Sequence, residues 1–378
     1  MKKIVLITPF LQPYRLTFYE KLANDSSYEF TVFHGVKTIE DGRPGHTGKA
    51  NFREQGFKEY KRLIGPYEFV YNKGMYAAIK KIDPDVIIMQ TIAANLSLRR
   101  ISKWAKKNDK KVIQWVCGWE PERVKGIFKR FKNIFVKTFL NKANFFLTYS
   151  TKASDYIKSF NIEDEIVETS YNGIEIDHMV DNESGILKEA GDIRKDYGLN
   201  DYTTFLYVGG FHKEKRLDLL VEAFSKLSEK YDYIKLLLIG DGPVRSEIEE
   251  LIKNMGTDNI DYLGRIIEGV DGYFAASDCL VLPGVGGLAL NQAMFWGKPC
   301  IVSEADGTED DLVIEGYSGY RFNKDDLNSL TDAMERRINE SDEQLSLLSK
   351  HASELIRNKS NVNNMVHVFS KHIDQMIS

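Results

Sequence analysis

Only three cysteines occur among the 378 residues (Cys117, Cys279 and Cys300). They lie far apart with no C-x-x-C spacing, which excludes a disulfide framework and fits a reducing cytosol. The seven histidines show no metal-ligand spacing, and no serine, histidine and aspartate group into a triad. No apolar run approaches the roughly 18 residues that a membrane-spanning helix needs. The opening MKKIVLITPF is only strand length and no small-residue cleavage site follows it, so it reads as a first strand rather than a leader. A Walker loop is missing too. Residues 42–49 (GRPGHTGK) resemble one, but Arg43 stands in place of its first glycine and Ala50 in place of Ser/Thr. Asp83-Pro84-Asp85 mimics a metal-binding D-x-D, yet it precedes the apolar strand VIIMQ instead of following one, and reads as the start of that strand. Low-complexity segments and short repeats are also absent.

What is present is an ordinary soluble composition, 43% hydrophobic and 28% charged, in a chain long enough for two cores. The net charge of −4 hides a division. Residues 1–170 carry 30 Lys/Arg against 18 Asp/Glu, or +12, leaving −16 for the remainder. Such asymmetry suggests that the first half meets an anionic partner or surface. Short β-rich runs alternate with amphipathic segments, the pattern of parallel sheets with helical crossovers. In the first half the strands are KIVLIT, FTVFH, DVIIMQ, KVIQWV and FFLTYS; in the second FLYVGG, KLLLIG, IDYLG, CLVLPG and PCIVS. Helices are expected at 15–24, 97–107, 218–230, 244–255, 288–296 and 325–339. The fold class is therefore α/β, with two Rossmann-like domains expected at 1–175 and 176–359. The seam falls in a turn-rich stretch between 172 and 200, and a final helix over 360–378 is expected to return to the first domain.

Three glycine turns follow apolar runs in the second half: VGGFHKEKR, IGDGP and PGVGGLALNQ. A turn of this kind at a strand's carboxyl end, opening into a helix, presents unpartnered N–H groups and suits an anion such as a nucleotide diphosphate. Gly209 and Gly210 let a ligand approach the backbone, and Lys215 and Arg216 stand at the helix start beyond them. Gly240–Pro243 serves equally well as a tight turn with no ligand. Gly284, Gly286 and Gly287 precede a helix from which Gln292 could reach a ribose.

Together with YNGIEID upstream and IDYLGR and EGYSGYRF downstream, these pieces resemble the donor domain of the retaining family-4 glycosyltransferases, and PG-x-x-GL at 283–288 resembles one subgroup of them. KIVLITPF, QPYR, PDVIIMQ and FFLTYS extend the likeness, more loosely, into the first half. The resemblance implies a GT-B fold, two Rossmann-like parallel-sheet domains facing across a cleft. It implies transfer of a sugar from a nucleotide-sugar, a co-substrate rather than a cofactor, to a glycan or lipid-linked acceptor, with retention and without a metal. Lys215 would contact and neutralise the departing diphosphate; Gly286, Gly287 and Leu288 would lie beneath it. Gln292 falls on the second glutamate of the family's E-x₇-E motif, Glu309 on the donor-sugar side, and Arg265 beside the nucleobase. Gln12, Tyr14, Arg15, Cys117, Gly118 and Trp119 are the acceptor-side candidates, with Glu120 assisting proton removal. The chain departs from the family at Gly210 (usually arginine), at Gly284 (the first glutamate) and at Cys117-Gly118-Trp119, where relatives often place a histidine before a glycine. These departures keep two rivals open: a non-catalytic nucleotide-sugar-binding partner, and a sugar-nucleotide epimerase on the same fold.

Residues 123–142 hold seven Lys/Arg and no carboxylate, interleaved with apolar residues. The pattern suits a peripheral helix on an anionic membrane, or an amphipathic helix packed on the first core; nucleic acid lacks any accompanying motif. A cytoplasmic protein of bacterial surface-polysaccharide synthesis, in peripheral contact with the inner face of the plasma membrane, is expected. The acidic run Glu304, Asp306, Glu309, Asp310 and Asp311 reads as a solvated loop, and Arg43, His46 and Lys49 as a turn that touches an acceptor or nothing.

Overall fold

The computed structural model describes residues 1–25, 27–36, 50–64, 67–118, 126–305 and 307–378, with backbone alone at 126–129. The chain forms two compact units, Met1–Glu175 with Val362–Ser378, and Ile176–Asn361.

The first unit holds eight strands: β1 (Lys2–Thr8), β2 (Tyr28–Val36), β3 (Arg53–Ile64), β4 (Tyr67–Asn72), β5 (Val86–Gln90), β6 (Lys111–Val116), β7 (Phe145–Thr148) and β8 (Val167–Thr169). Their order is β4-β3-β2-β1-β5-β6-β7-β8, parallel throughout except for β3 against β4. In the centre, Ile4, Val5 and Leu6 are fully buried, because helices cover both faces of a parallel sheet and its strands become continuous apolar runs. The last helix, Val362–Ile377, belongs to this unit. Its Phe369 packs on Phe18 and Trp115 with ring centroids 5.0 and 5.2 Å apart.

Three of these strands had no signal in the sequence. β3 buries only Phe57 among twelve residues, so REQGFKEYKRLI carries no alternating apolar pattern. Pairing with β2 and β4 holds it, which is tertiary context overriding propensity. β4 is the antiparallel return of that ribbon, and β8 has only three residues.

The second unit is a six-stranded parallel sheet of β9 (Thr203–Val208), β10 (Ile234–Ile239), β11 (Ile260–Gly264), β12 (Cys279–Leu282), β13 (Cys300–Val302) and β14 (Gly319–Arg321). The order is β11-β10-β9-β12-β13-β14. The stretch read as turn-rich contains two helices, Asp177–Asp181 and Glu183–Asp196. Ile186, Ala190 and Ile193 form the buried stripe of the second, at helical spacing that Gly185 and Gly191 dilute. Arg194 fastens it by donating to Ala276 O at 2.6 Å and Leu199 O at 2.8 Å.

In both sheets the chain runs outward from one strand in one direction and then resumes on its other side. The reversals lie between β1 and β5, and between β9 and β12. Ligands of open α/β sheets bind outside the strand carboxyl ends at such points.

Candidate functional site

At the β9–β12 reversal, three loops are locked backbone to backbone. After β9, Phe211 N donates to Asp241 O at 2.9 Å, and Val244 N returns a bond to Phe211 O at 3.2 Å. A Cβ at Gly240, which has φ +148°, would collide with Gly209 O, and one at Gly242 with Phe211 O. The GDGP glycines therefore have a sufficient structural reason, the close approach of two loops. Tyr207 donates its hydroxyl to Gly210 O at 3.0 Å and fixes the turn where the arginine is missing.

The loop after β12 is stitched to the short 3-10 turn Lys213–Lys215. Val285 N donates to Glu214 O at 3.1 Å. Lys215 Nζ donates to Val285 O at 2.6 Å and to Gly286 O at 2.9 Å. Its charge is thereby held against the glycine loop. Arg216, in the left-handed region at φ +54°, turns instead to Asp218 at 3.2 Å and to Asp325. Only one of the two basic residues expected at this helix start joins the loop. Gly284 lies so close that a Cβ there would meet Glu214 O and stand 2.8 Å from Lys215 C. A glutamate cannot occupy that position in this packing. Gly286 has another reason to be glycine: a Cβ would overlap Oε1 of Glu309. Glu309, 2% exposed on the helix Thr308–Leu312, is thus a buried carboxylate pressed onto the loop, not part of a solvated one. Its neighbour Asp310 pairs with Arg321. Lys215, Gly286 and Glu309 meet at one place. Leu288 and Gly287 adjoin it at the start of the helix Ala289–Phe295, with half-buried Gln292 one turn in. Arg265 is exposed beyond β11, at the sheet's edge and two strands from β9.

In the first unit, Gln12, Arg15 and Cys117 converge where β1 and β6 end. Gln12 is buried and its Oε1 accepts from Tyr19 at 3.4 Å. Tyr14 is 46% exposed, whereas Arg15 is 3% exposed. The Arg15 guanidinium lies 4.3 Å from the Trp115 ring centroid, 5.0 Å from Tyr149 and 5.3 Å from Tyr14. Its Nε and Nη1 are buried without a hydrogen-bond partner among the described residues, as are Trp115 Nε1 and Tyr149 Oη. Burial opposes the Arg15 charge, while Cys117, Tyr19 and Tyr14 favour it, Tyr14 through a side-chain hydrogen bond. The rings add about 2 kcal/mol for such a buried contact, but Nε and Nη1 still go unanswered. Beside it, burial pushes the Cys117 thiol up to about 11, against the opposing pull of Arg15. Gly118 follows at φ +143°, a conformation that favours glycine. Trp119 and Glu120 lie outside the described residues, as do Arg43, His46, Lys49 and Asp306.

Residues 190–360 match the family described as glycosyl transferases group 1. That segment is similar to a group 1 glycosyl transferase domain. The chain is 30% identical over 171 residues to N-acetyl-alpha-D-glucosaminyl L-malate synthase of Bacillus anthracis, covering 44% of this chain and 42% of that protein. It is 26% identical over 262 residues to an uncharacterized glycosyltransferase of Methanocaldococcus jannaschii, covering 66% and 60%. The chain spans about half the length of the curated relatives it matches. Among solved structures it superposes on Anabaena HepE in complex with UDP with a TM-score of 0.76 at 14% identity, over 99% of this chain and 100% of that one. Two parallel-sheet α/β units with such neighbours give the GT-B fold class.

All the glycine loops, Lys215 and Glu309 fall inside the matched segment, and the Arg15 cage falls outside it. Outside it too is a cavity of about 390 Å³ at the mouths of β1, β2 and β5. Thr8, Gln90, Asn72 and Asn95 line it, along with Glu59, Lys61 and Glu68 from the β3–β4 ribbon. Asn95 Nδ2 donates to Asn72 Oδ1 at 2.9 Å, and Thr8 Oγ1 to Gln90 Oε1 at 3.1 Å. Neither these residues nor Trp115 and Tyr149 were signalled by sequence; Gln114-Trp115 near a strand's end was the one hint.

The basic segment is helical over Gly126–Leu140, and part of its apolar side packs on the first core. Val136, Phe139 and Leu140 are buried in the core, while Phe131 and Ile134 are 64% and 53% exposed. Asp85 serves strand start, accepting from Lys3 N at 2.8 Å.

Proposed function

We propose that the chain transfers a sugar, with retention at the anomeric carbon, from a nucleotide-sugar held by the group 1 domain to an acceptor held by the first unit. The observation that carries this is the convergence of Lys215, Gly286 and Glu309 at the β9–β12 reversal. A fixed positive charge beside backbone groups at a strand's carboxyl end can stabilise negative charge building on a departing diphosphate, without reorganising during the reaction. Buried Glu309 stands where a hydroxyl-rich sugar would be oriented. Front-face transfer needs no protein nucleophile, and the groups gathered here are an ammonium, a carboxylate and glycine backbone.

The test is calorimetric titration with UDP, GDP and TDP and their sugar conjugates, followed by mass spectrometry of each mixture. UDP comes first because the Anabaena neighbour was solved with it. Saturable binding of one series with slow release of free sugar supports transfer. An isomeric nucleotide-sugar would make the protein an epimerase, and binding without chemistry over a broad acceptor panel a non-catalytic partner. No binding at millimolar ligand would end the donor-site reading.

The exposed Phe131 and Ile134 on a helix rich in Lys and Arg support a second element of the proposal, peripheral contact with an anionic membrane carrying a lipid-linked acceptor. At about 1 kcal/mol per basic residue, changing Lys129, Arg130 and Lys132 to Ser should weaken binding to anionic vesicles about 100-fold. Equal binding of the native protein to neutral vesicles would refute it.

A further inference from the structure

The first unit's cage has a chemical selectivity written into its atoms. Arg15 Nε and Nη1, Trp115 Nε1 and Tyr149 Oη have no hydrogen-bond partner among the described residues, and every one of them can donate. Guanidinium and indole can do nothing else. A neutral polyol needs acceptors as well as donors, and a cation would be repelled by the guanidinium. Carboxylate and phosphate oxygens accept only, and the planar fork of arginine pairs with either.

The positive charge also lacks a counter-charge among the described residues. No carboxylate lies within ion-pair distance of Arg15 among the described residues. Burial holds the Cys117 thiol and the Tyr19 phenol in their neutral forms at pH 7. Tyr14, 46% exposed with its ring 5.3 Å from the guanidinium, is the wall of the cage that faces solvent.

We infer that Arg15, Trp115 and Tyr149 form a binding site for an oxyanion, a carboxylate or phosphate, and that the acceptor carries this group. The second half of the inference rests on the proposed sugar transfer; the first does not.

The experiment follows melting temperature and tryptophan emission while sodium phosphate or sodium malonate is added, against sodium chloride at matched ionic strength. The native protein should respond saturably to one of the two, with a rise of about 3–6 °C at saturation. A phosphate response assigns a phosphorylated acceptor, and a malonate response a carboxylated one. Arg15→Met should lose the response, weakening apparent affinity at least tenfold, and should melt no lower than the native protein when no anion is present. That second outcome separates a ligand-binding charge from a structural one, since removing an uncompensated buried charge relieves the fold. If Arg15→Met fails to fold, Arg15→Lys keeps the charge without the fork and should weaken binding at least tenfold. Lys215→Ala removes any phosphate response that belongs to the glycine loop, so the response assigned to the cage is the part that survives Lys215→Ala and is lost in Arg15→Met. A response identical in Arg15→Met, or one matched by chloride, would overturn the site.

Discussion

The two sheets reverse at equivalent points, yet what stands at each is made of different material. In the second unit the loops are backbone packed on backbone: Phe211 bonded to Asp241, Val285 to Glu214, and Lys215 donating to two carbonyls. In the first unit the walls are side chains drawn from distant parts of the chain, with Arg15 among Tyr14, Trp115 and Tyr149, and Asn72 bonded to Asn95. The difference fits the proposed division of labour. A diphosphate is common to the nucleoside diphosphate sugars and can be held by fixed backbone geometry plus one cation. An acceptor varies, and side chains are what can vary with it.

The largest effect that this contrast predicts is at the one side chain essential to the backbone-built loop. Lys215→Ala removes the charge proposed to face the diphosphate and should lower kcat about 10²- to 10³-fold, the usual effect of deleting one preorganised stabilising group. Circular dichroism should stay native, because the backbone bonds that hold the loop, Val285 N to Glu214 O among them, do not involve the side chain. Activity within a few-fold of native would break the comparison at its strongest point.

A second prediction concerns the side-chain-built region. With its pKa raised to about 11 by burial, Cys117 is overwhelmingly a neutral thiol at pH 8, where an ordinary cysteine of pKa near 8.5 is partly thiolate. Alkylation by iodoacetamide at pH 8 should therefore run about 100-fold slower than for a free cysteine, and accelerate as pH rises toward 11. Labelling at the rate of a free thiol would show that Arg15 outweighs burial. The thiolate would then be the missing counter-charge, and the oxyanion site would lose its rationale.

The same contrast explains what could be read in advance. Backbone solutions leave glycines, and glycines punctuate a sequence visibly. VGGFH, GDGP and PGVGG marked the β9, β10 and β12 loops, and Lys215 and Glu309 came with the family resemblance. Side-chain solutions leave no local mark. Arg15 was named from its place after β1, but Trp115 and Tyr149 become its cage only when β6 and β7 pair. The β3–β4 ribbon stayed hidden because its single buried residue, Phe57, gives no period. The helix Glu183–Asp196 was obscured by Gly185 and Gly191, although Ile186, Ala190 and Ile193 stand on one face. Gly284 shows that one glycine can carry two meanings. Beside the family it is a missing glutamate, and in this packing its surroundings exclude any side chain.

That last point supplies the smallest effect and the finest test. Gly284, Gly286 and Gly287 lie within four residues, but a methyl group added to each meets something different. At 284 it meets main chain, Glu214 O and the Lys215 backbone; at 286 the end of a flexible side chain, Glu309 Oε1; at 287 nothing within 4 Å. Main chain cannot step aside, so Gly284→Ala should destabilise by about 1–3 kcal/mol, the usual cost of overpacking. The Lys215 turn should be displaced with it, weakening nucleotide binding. Gly286→Ala should leave stability nearer native and act on Glu309, and so on turnover more than on nucleotide affinity. Gly287→Ala should do neither. Thermal melts and nucleotide titrations of the three variants decide the matter. Equal behaviour at 284 and 287 would mean that the loops are not packed backbone to backbone, and the contrast between the two units would fail with them.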